Sequence, residues 1–233
     1  MATLYGANVV RDGLVLHLDA ANVKSYPGTG TTWSDLSGNG YNGTLTGSPT
    51  YVSNESFTFD GTDDRVSFGD IDIITGAFTI DVWFKSAASQ NGAQYATIVG
   101  KDAAGSFGNF IMTSDLNSTY IRAGFNGSGG QKETSNSSYN TDFTSQTWVN
   151  YVCTWDGSSV LTLYRNAEQI AQNTSATGTI TSNNNDLYIG YRTADVTSYF
   201  EGDISNVKLY NNKSLTEDEV AQNFEAMRGR YGL

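Results

Sequence analysis

Along much of the chain apolar and polar residues alternate with a period of two, the pattern of a strand with one buried face. Phe78, Ile80, Val82 and Phe84 fall on one side of such a run, and Thr79, Asp81, Trp83 and Lys85 on the other. Val149, Tyr151, Cys153 and Trp155 repeat the pattern, and Leu161 and Leu163 alternate with Thr162 and Tyr164. Shorter runs cover Leu14–Leu18, Phe57–Phe59, Arg65–Phe68, Tyr95–Val99, Phe107–Met112, Tyr120–Phe125, Leu187–Tyr191 and Ile204–Leu209. Each run is bounded by Gly, Asn, Asp or Ser, and many short strands so spaced predict an all-β sandwich or barrel.

The connections carry their own signals. Asp156-Gly157 suits a tight hairpin, where positive φ is needed. Asn166-Ala167 marks a second hairpin, expected to be less regular because Ala is strained at positive φ. Asn126–Asn140 and Ser182–Asp186 read as polar loops, too short to divide domains. One segment is helical. Thr216 and Glu219 form a capping box, and Val220, Phe224 and Met227 share one face. The expectation is a helix that plugs one open end of the sandwich, with Arg228–Leu233 as an alternative assembly contact. Residues 1–233 form a single domain, with 1–12 as an N-terminal extension and 214–233 as the C-terminal helix and tail.

Composition narrows the function classes. The 233 residues include 14 Tyr, 11 Phe and 4 Trp, enough aromatics to argue against disorder. The net charge of −11, with no basic stripe, argues against a nucleic-acid partner and an anionic membrane surface. One cysteine, Cys153, allows no intrachain disulfide and reads as a small core residue. The first residues show no secretory signal and no window is apolar enough to span a bilayer, so folding in a cytosol and no membrane insertion are expected.

Four stretches in order then carry a family resemblance. Asp35-Leu36-Ser37-Gly38-Asn39-Gly40-Tyr41-Asn42-Gly43-Thr44-Leu45 resembles the D-x-S-G-N-G-x-x-G-T loop of concanavalin A-like lectin/glucanase (laminin-G-like) domains. Phe59-Asp60-Gly61-Thr62-Asp63-Asp64-Arg65-Val66 resembles their F-D-G-x-D-D-Y-V turn, with Arg65 in place of the aromatic. Trp148 through Gly157, with Leu163–Asn166, is similar to the central hairpin. Phe200–Val207 through Leu215–Val220 is similar to the last strand and helix, and to the end of pentraxins. The resemblance spans Gly13 to Met227 and implies the concanavalin A-like fold, an all-β, two-sheet antiparallel jelly-roll sandwich with a short C-terminal helix. A narrower resemblance concerns the opening Gly13–Asn22 with Ser25-Tyr26-Pro27-Gly28 and the ending Gln222–Phe224 with Arg228–Leu233. These are similar to sandwich domains of tailed bacteriophages, which implies a virion protein: a capsid decoration or a tail-fibre component.

The chemistry is tested against the fold. A glycosidase of this type would place carboxylates at E-x-D-x-x-E spacing on one strand, and no such run exists. Asp81 is the best strand carboxylate and stands alone, while Asp63-Asp64 is an adjacent pair whose side chains are expected to diverge. The single histidine, His17, sits in a strand and reads as a satisfied structural residue. No catalytic residue is therefore named, and no enzyme is expected. Calcium, which takes hard oxygen ligands, is the cofactor left to consider. The resemblance implies Asp35, Asn39, Asp60, Asp63 and Asp64 at or near calcium sites, and the competing reading is that these residues only make Asx-turns. The pentraxin phosphocholine site does not carry over: Tyr191-Arg192-Thr193-Ala194-Asp195 replaces its acidic run, and Ser205 replaces an Asp. For a sugar, the candidate aromatic platforms are Trp33, Tyr41, Tyr95, Tyr139 and Tyr199.

The sequence thus leads to a non-enzymatic structural or adhesion protein of a phage virion. Its expected partners are other virion proteins and further copies of itself, and its assembly would take place in the host cytoplasm. The alternative is a calcium-assisted carbohydrate-binding module for host surface glycans.

Overall fold

A computed structural model describes residues 8–90, 95–103, 106–114, 120–139, 141–193 and 198–233. The strands are β1 (Leu14–Asp19), β2 (Thr32–Trp33), β3 (Gly43–Thr46), β4 (Thr50–Val52), β5 (Ser56–Asp60), β6 (Arg65–Ser67), β7 (Phe78–Ser86) and β8 (Thr97–Ala103). Next come β9 (Ser106–Ser114), β10 (Ile121–Gly127), β11 (Gly130–Ser135), β12 (Val149–Trp155), β13 (Leu161–Arg165), β14 (Glu168–Asn173), β15 (Tyr188–Ile189) and β16 (Glu201–Asn211). A helix, α1 (Glu217–Met227), follows and tightens into a 3-10 turn at Arg228–Arg230.

The strands form two eight-stranded antiparallel sheets, the sandwich that the family resemblance implies and not the barrel that the alternation alone left open. The first runs β14-β13-β12-β7-β16-β5-β4, and β1 also pairs with β16. Strand β16 is long enough to serve two neighbours on one edge: Glu201–Ile204 pairs with β5 and Asn206–Tyr210 with β1. The register shift between Ile204 and Asn206 falls where the partner changes. The second sheet runs β11-β10-β9-β8-β15-β6-β3-β2. Phe57, Phe59, Phe78, Ile80, Val82, Phe84, Phe110, Phe125, Cys153, Trp155, Leu163 and Ile189 belong to the one large core between the sheets. Burial of these side chains stabilises the sandwich at roughly 25 cal/mol per Å² of apolar surface.

Several sequence expectations need correction. Residues 126–139 are not a plain loop: β10 and β11 form a hairpin there, with Gly127 opposite Gly130. Asn166-Ala167 makes a regular two-residue turn, φ 50° and 67°, joining Arg165 to Glu168 in register. The Asn166 side chain offsets the strain by accepting from the Asn150 amide at 2.9 Å. The helix forms with its capping box, but it does not plug an open end. It lies on the outer face of the first sheet, where Val220 packs with Leu14, Val152, Tyr164 and Tyr210. This is why both faces of β7 are buried. Trp83, predicted to face outward, stacks on Phe224 (5.5 Å) and Tyr231 (4.1 Å). The tail Arg228–Leu233 is thereby docked on its own domain, with Arg230 bidentate on Asp19 at 2.6 and 3.1 Å.

Beneath α1 lies a buried polar cluster. Lys208 and Asp81, both at most 1% exposed, approach to 3.3 Å. Asn150 and Asn223 each donate to the Asp81 carboxylate at 2.9 Å. Asn223, on the helix's apolar face, also accepts from the Val10 amide at 2.8 Å. His17 sits opposite Lys208 on β1. Its Nε2 meets the Asn206 amide at 3.3 Å, but its Nδ1 has no partner among the described residues, so the expectation of a satisfied histidine is only half met. Burial, with Lys208, Arg11 and Arg230 nearby, pushes its pKa down to about 3.

Candidate functional site

The loop joining β5 to β6 is a turn and not a strand, and that changes where its carboxylates point. Asp60 Oδ1 accepts from the amides of Thr62 (2.8 Å) and Asp63 (3.3 Å), an Asx-turn that folds the loop back. Asp64 turns inward and accepts from the Asp60 amide at 3.0 Å. Asp60, Asp63 and Asp64 consequently bring one oxygen each within 4.8 Å of one another. The expected divergence of Asp63 and Asp64 holds for a strand and fails for this turn. Gly47 makes room for it: a Cβ there would lie 2.6 Å from both the Asp63 carbonyl and the Asp64 carboxylate. Asp64 is 4% exposed, and burial together with the charges of Asp60 and Asp63 raises its pKa to about 6.

Asp35 and Asn39 occupy a different loop and are not part of that triad. The Asp35 carboxylate accepts from the amides of His17, Ser37, Gly40 and Tyr41 and from the Ser37 hydroxyl, at 2.6 to 3.3 Å. Asn39 uses its amide as a donor to the Leu14 and Val15 carbonyls. Both residues pin the loop to β1.

The aromatic candidates also separate. Trp33 is fully buried, edge-on to Phe57 at 4.9 Å, and offers no face to a ligand. Tyr41 packs half-buried against the main core. Tyr95 lies under the Arg192 guanidinium at 4.8 Å, and Tyr139 under Arg165 at 4.7 Å. Tyr199 stacks on Tyr191 at 4.5 Å, and Tyr191 meets Tyr188 edge-on at 5.2 Å. These three tyrosines are half-exposed and belong to none of the hydrophobic clusters. Arg65 lies 5.6 Å from the Tyr191 ring centre and donates to the Asp63 carbonyl at 3.1 Å, which ties the ladder to the acidic loop. Of the Tyr191–Asp195 stretch, Ala194 and Asp195 lie outside the described residues.

On the other side of the acidic loop a cleft of about 440 Å³ opens on the first sheet, lined by Thr58, Asp60, Lys85, Gln146, Glu201 and Asp203 among others. The register puts Thr58, Asp203 and Lys85 in one cross-strand row. Lys85 pairs with Asp203 at 2.8 Å and lies 5.1 Å from the Trp148 ring centre, so its charge is already engaged. The Thr58 hydroxyl donates to Asp203 as well. Glu201 faces Asp60 directly across β16 and β5. Like charges so placed repel. Burial and the Asp60 charge raise the pKa of Glu201. Gln146 was not a candidate from sequence, and neither was Glu201; strand register sets Glu201 beside Asp60, and the loop before β12 brings Gln146 to the same cleft.

Asp81, the best strand carboxylate for hydrolysis, is sealed under α1 by Lys208, Asn150 and Asn223, out of reach of a substrate. Among the described residues no helix is long and apolar enough to cross a membrane.

Comparisons with known proteins agree with this architecture. A family model described as the concanavalin A-like lectin/glucanases superfamily, of laminin-G type, matches residues 60–221. No curated protein matches the sequence. Among solved structures, the binding domain of Paraclostridial Mosquitocidal Protein 1 is similar over 92% of this chain and 52% of its own, at 17% identity and a TM-score of 0.69. The binding domain of botulinum neurotoxin serotype D/C VPI 5993 is similar over 93% of this chain and 53% of its own (15% identity, TM-score 0.68). Trypanosoma rangeli sialidase, solved in complex with sialic acid, is similar over 93% of this chain and 33% of its own (15% identity, TM-score 0.62). The chain spans about half the length of these toxin domains and a third of the sialidase, and at such identities the likeness is one of fold.

Proposed function

The chain belongs to the concanavalin A-like lectin/glucanases superfamily, and on that premise we propose that it is a non-enzymatic glycan-binding module whose ligand sits at the corner formed by the tyrosine ladder, the acidic loop and the adjoining cleft. The observation that carries this reading is the stacked pair Tyr191 and Tyr199, half-exposed and outside the core, beside a loop of three carboxylates. A sugar has an apolar C–H face and a rim of hydroxyls. Aromatic faces take the first and carboxylates accept from the second. A glycan panel offered to the folded protein tests it. Binding that Tyr191→Ala and Tyr199→Ala each weaken, with the fold intact, supports the corner. Binding that both variants retain moves the ligand elsewhere, and no binding at millimolar sugar removes the lectin reading.

Calcium is the finer part of this proposal. Asp60, Asp63 and Asp64 would hold it, since they supply hard oxygens at close approach and no cation pairs with them among the described residues. The ion would neutralise the loop and stiffen it beside Tyr191.

A second, separable proposal concerns location: a phage virion, on a capsid surface or a tail fibre, in several symmetric copies among other virion proteins. It is favoured by the opening Gly13–Asn22 and the closing Arg228–Leu233 stretches, which resemble such domains. Immunogold labelling of viral particles from the source tests it, and unlabelled intact particles would remove it.

A further inference from the structure

The cleft beside the acidic loop has a biased set of free hydrogen-bonding groups. Its one cation among the described residues, Lys85, is committed to Asp203 and Trp148. The Thr58 hydroxyl donates to Asp203, and the Ser86 hydroxyl donates to the Asp142 carbonyl at 2.7 Å. The carboxylate of Glu201, the second carboxylate oxygen of Asp60 and the amide of Gln146 remain to meet a ligand, since Asp60 Oδ1 already accepts from the Thr62 and Asp63 amides. Two of these three groups only accept hydrogen bonds when ionised. A ligand rich in donors fits, whereas a ligand bearing a carboxylate or sulfate would meet the unpaired charge of Glu201, joined in the calcium-free protein by that of Asp60.

Gln146 adds a second, independent feature. Its backbone has φ 54°, a region that favours glycine, yet the residue is an exposed glutamine. The loop that carries it is held firmly. Asp142 is gripped by Arg165 at 2.6 and 2.9 Å and by the Tyr151 hydroxyl at 2.6 Å. Phe143 is fully buried in the main core, and Ser145 and Thr147 link their hydroxyls at 2.9 Å across the strained residue. Rigid anchors on both sides thus hold an amide side chain at the cleft's edge in a conformation that costs stability.

We propose that this cleft receives the hydroxyl-rich end of a neutral saccharide, with Asp60 and Glu201 accepting from its hydroxyls and Gln146 hydrogen-bonding its rim, and that it rejects sugars ending in a carboxylate or sulfate. The proposal rests on the lectin reading above and names the ligand class and the residues that select it.

The test is calorimetric titration of the full chain with matched neutral, sialylated and sulfated oligosaccharides, for the wild type, Gln146→Gly, Glu201→Gln and Tyr191→Ala. Neutral sugars should bind and acidic ones should not. Glu201→Gln should weaken binding about ten-fold or more, the usual weight of a hydrogen bond to a charged group. Gln146→Gly should weaken binding while leaving the melting temperature unchanged or higher, because glycine relaxes the backbone. That opposition separates ligand contact from folding. Preferential binding of acidic sugars would overturn the proposal. So would neutral binding that survives both cleft variants but falls with Tyr191→Ala, an outcome that leaves the lectin reading standing. Absence of binding to every sugar would overturn both.

Discussion

Replacing Asp81 by Leu should be among the most damaging single changes outside the sandwich core. The Asp81 carboxylate is 1% exposed and holds three donors: Lys208 at 3.3 Å, and Asn150 and Asn223 at 2.9 Å each. Removing it leaves the fully buried Lys208 ammonium without its counter-charge, a loss of about 3–5 kcal/mol. The Asn223 amide keeps the Tyr210 hydroxyl and the Asn150 amide keeps the Val82 carbonyl, each at 2.9 Å, so neither is orphaned. The ion pair therefore dominates, and the expected cost is about 3–5 kcal/mol out of a typical total near 5–15. Lys208→Met alone should cost a similar amount, since it strands the carboxylate. The double variant should recover most of the loss, because a well-packed apolar pair replaces a desolvated ionic one. Urea unfolding of all four proteins closes the cycle. Simple additivity of the two single losses would refute the claim that the pair acts as a unit beneath α1.

Further predictions concern the tail, the acid limb and the metal. Tyr231→Ala should cost about 3 kcal/mol, as for loss of a buried aromatic, and should red-shift the emission of Trp83 and Trp148, whose rings it covers at 4.1 and 4.9 Å. A loss below about 1 kcal/mol would mean that the tail is not docked in solution. His17 is buried neutral with a pKa of about 3 against 6.5 when free, so the unfolded chain takes up a proton first as pH falls below 6.5. Stability should accordingly drop by about 1.6 kcal/mol between pH 6.5 and 5 from this group alone. His17→Gln should lack that part of the slope in urea titrations at the two pH values, and an unchanged slope would refute it. Calcium should raise the melting temperature at pH 7.5 relative to chelator. The rise should fade as pH falls through about 6, where Asp64 takes up its proton. Equal melting curves with calcium and chelator would remove the metal from the account.

The legible and illegible parts of the chain divide along physical lines. Strands with one face in the main core, such as β7, β12 and β16, announce themselves through Phe78–Phe84, Val149–Trp155 and Ile204–Leu209. Strands β2, β4, β11 and β14 do not, and all four are sheet edges. Edge strands carry polar residues on the water side, so Gly130–Ser135 and Glu168–Asn173 have no strong period to read. The capping box at Thr216 was plain, but Asn223 was not, because its partner Asp81 lies 142 positions away. The acidic loop was visible as a motif. Its convergence was not, since it depends on a turn and on the space left by Gly47. The cleft is the least legible feature: Asp60, Gln146 and Glu201 meet only through strand register and an anchored loop.

The central claim is that the corner beside Tyr191 and Asp60 binds a glycan. Saturation-transfer NMR of the wild-type protein with a mixed panel of soluble oligosaccharides, repeated with Tyr191→Ala, tests it most directly. The account predicts saturation transfer to one or more neutral sugars that the variant loses while its amide spectrum stays folded. Transfer that is undiminished in the variant, or absent for every sugar with the wild type at millimolar ligand, would contradict it.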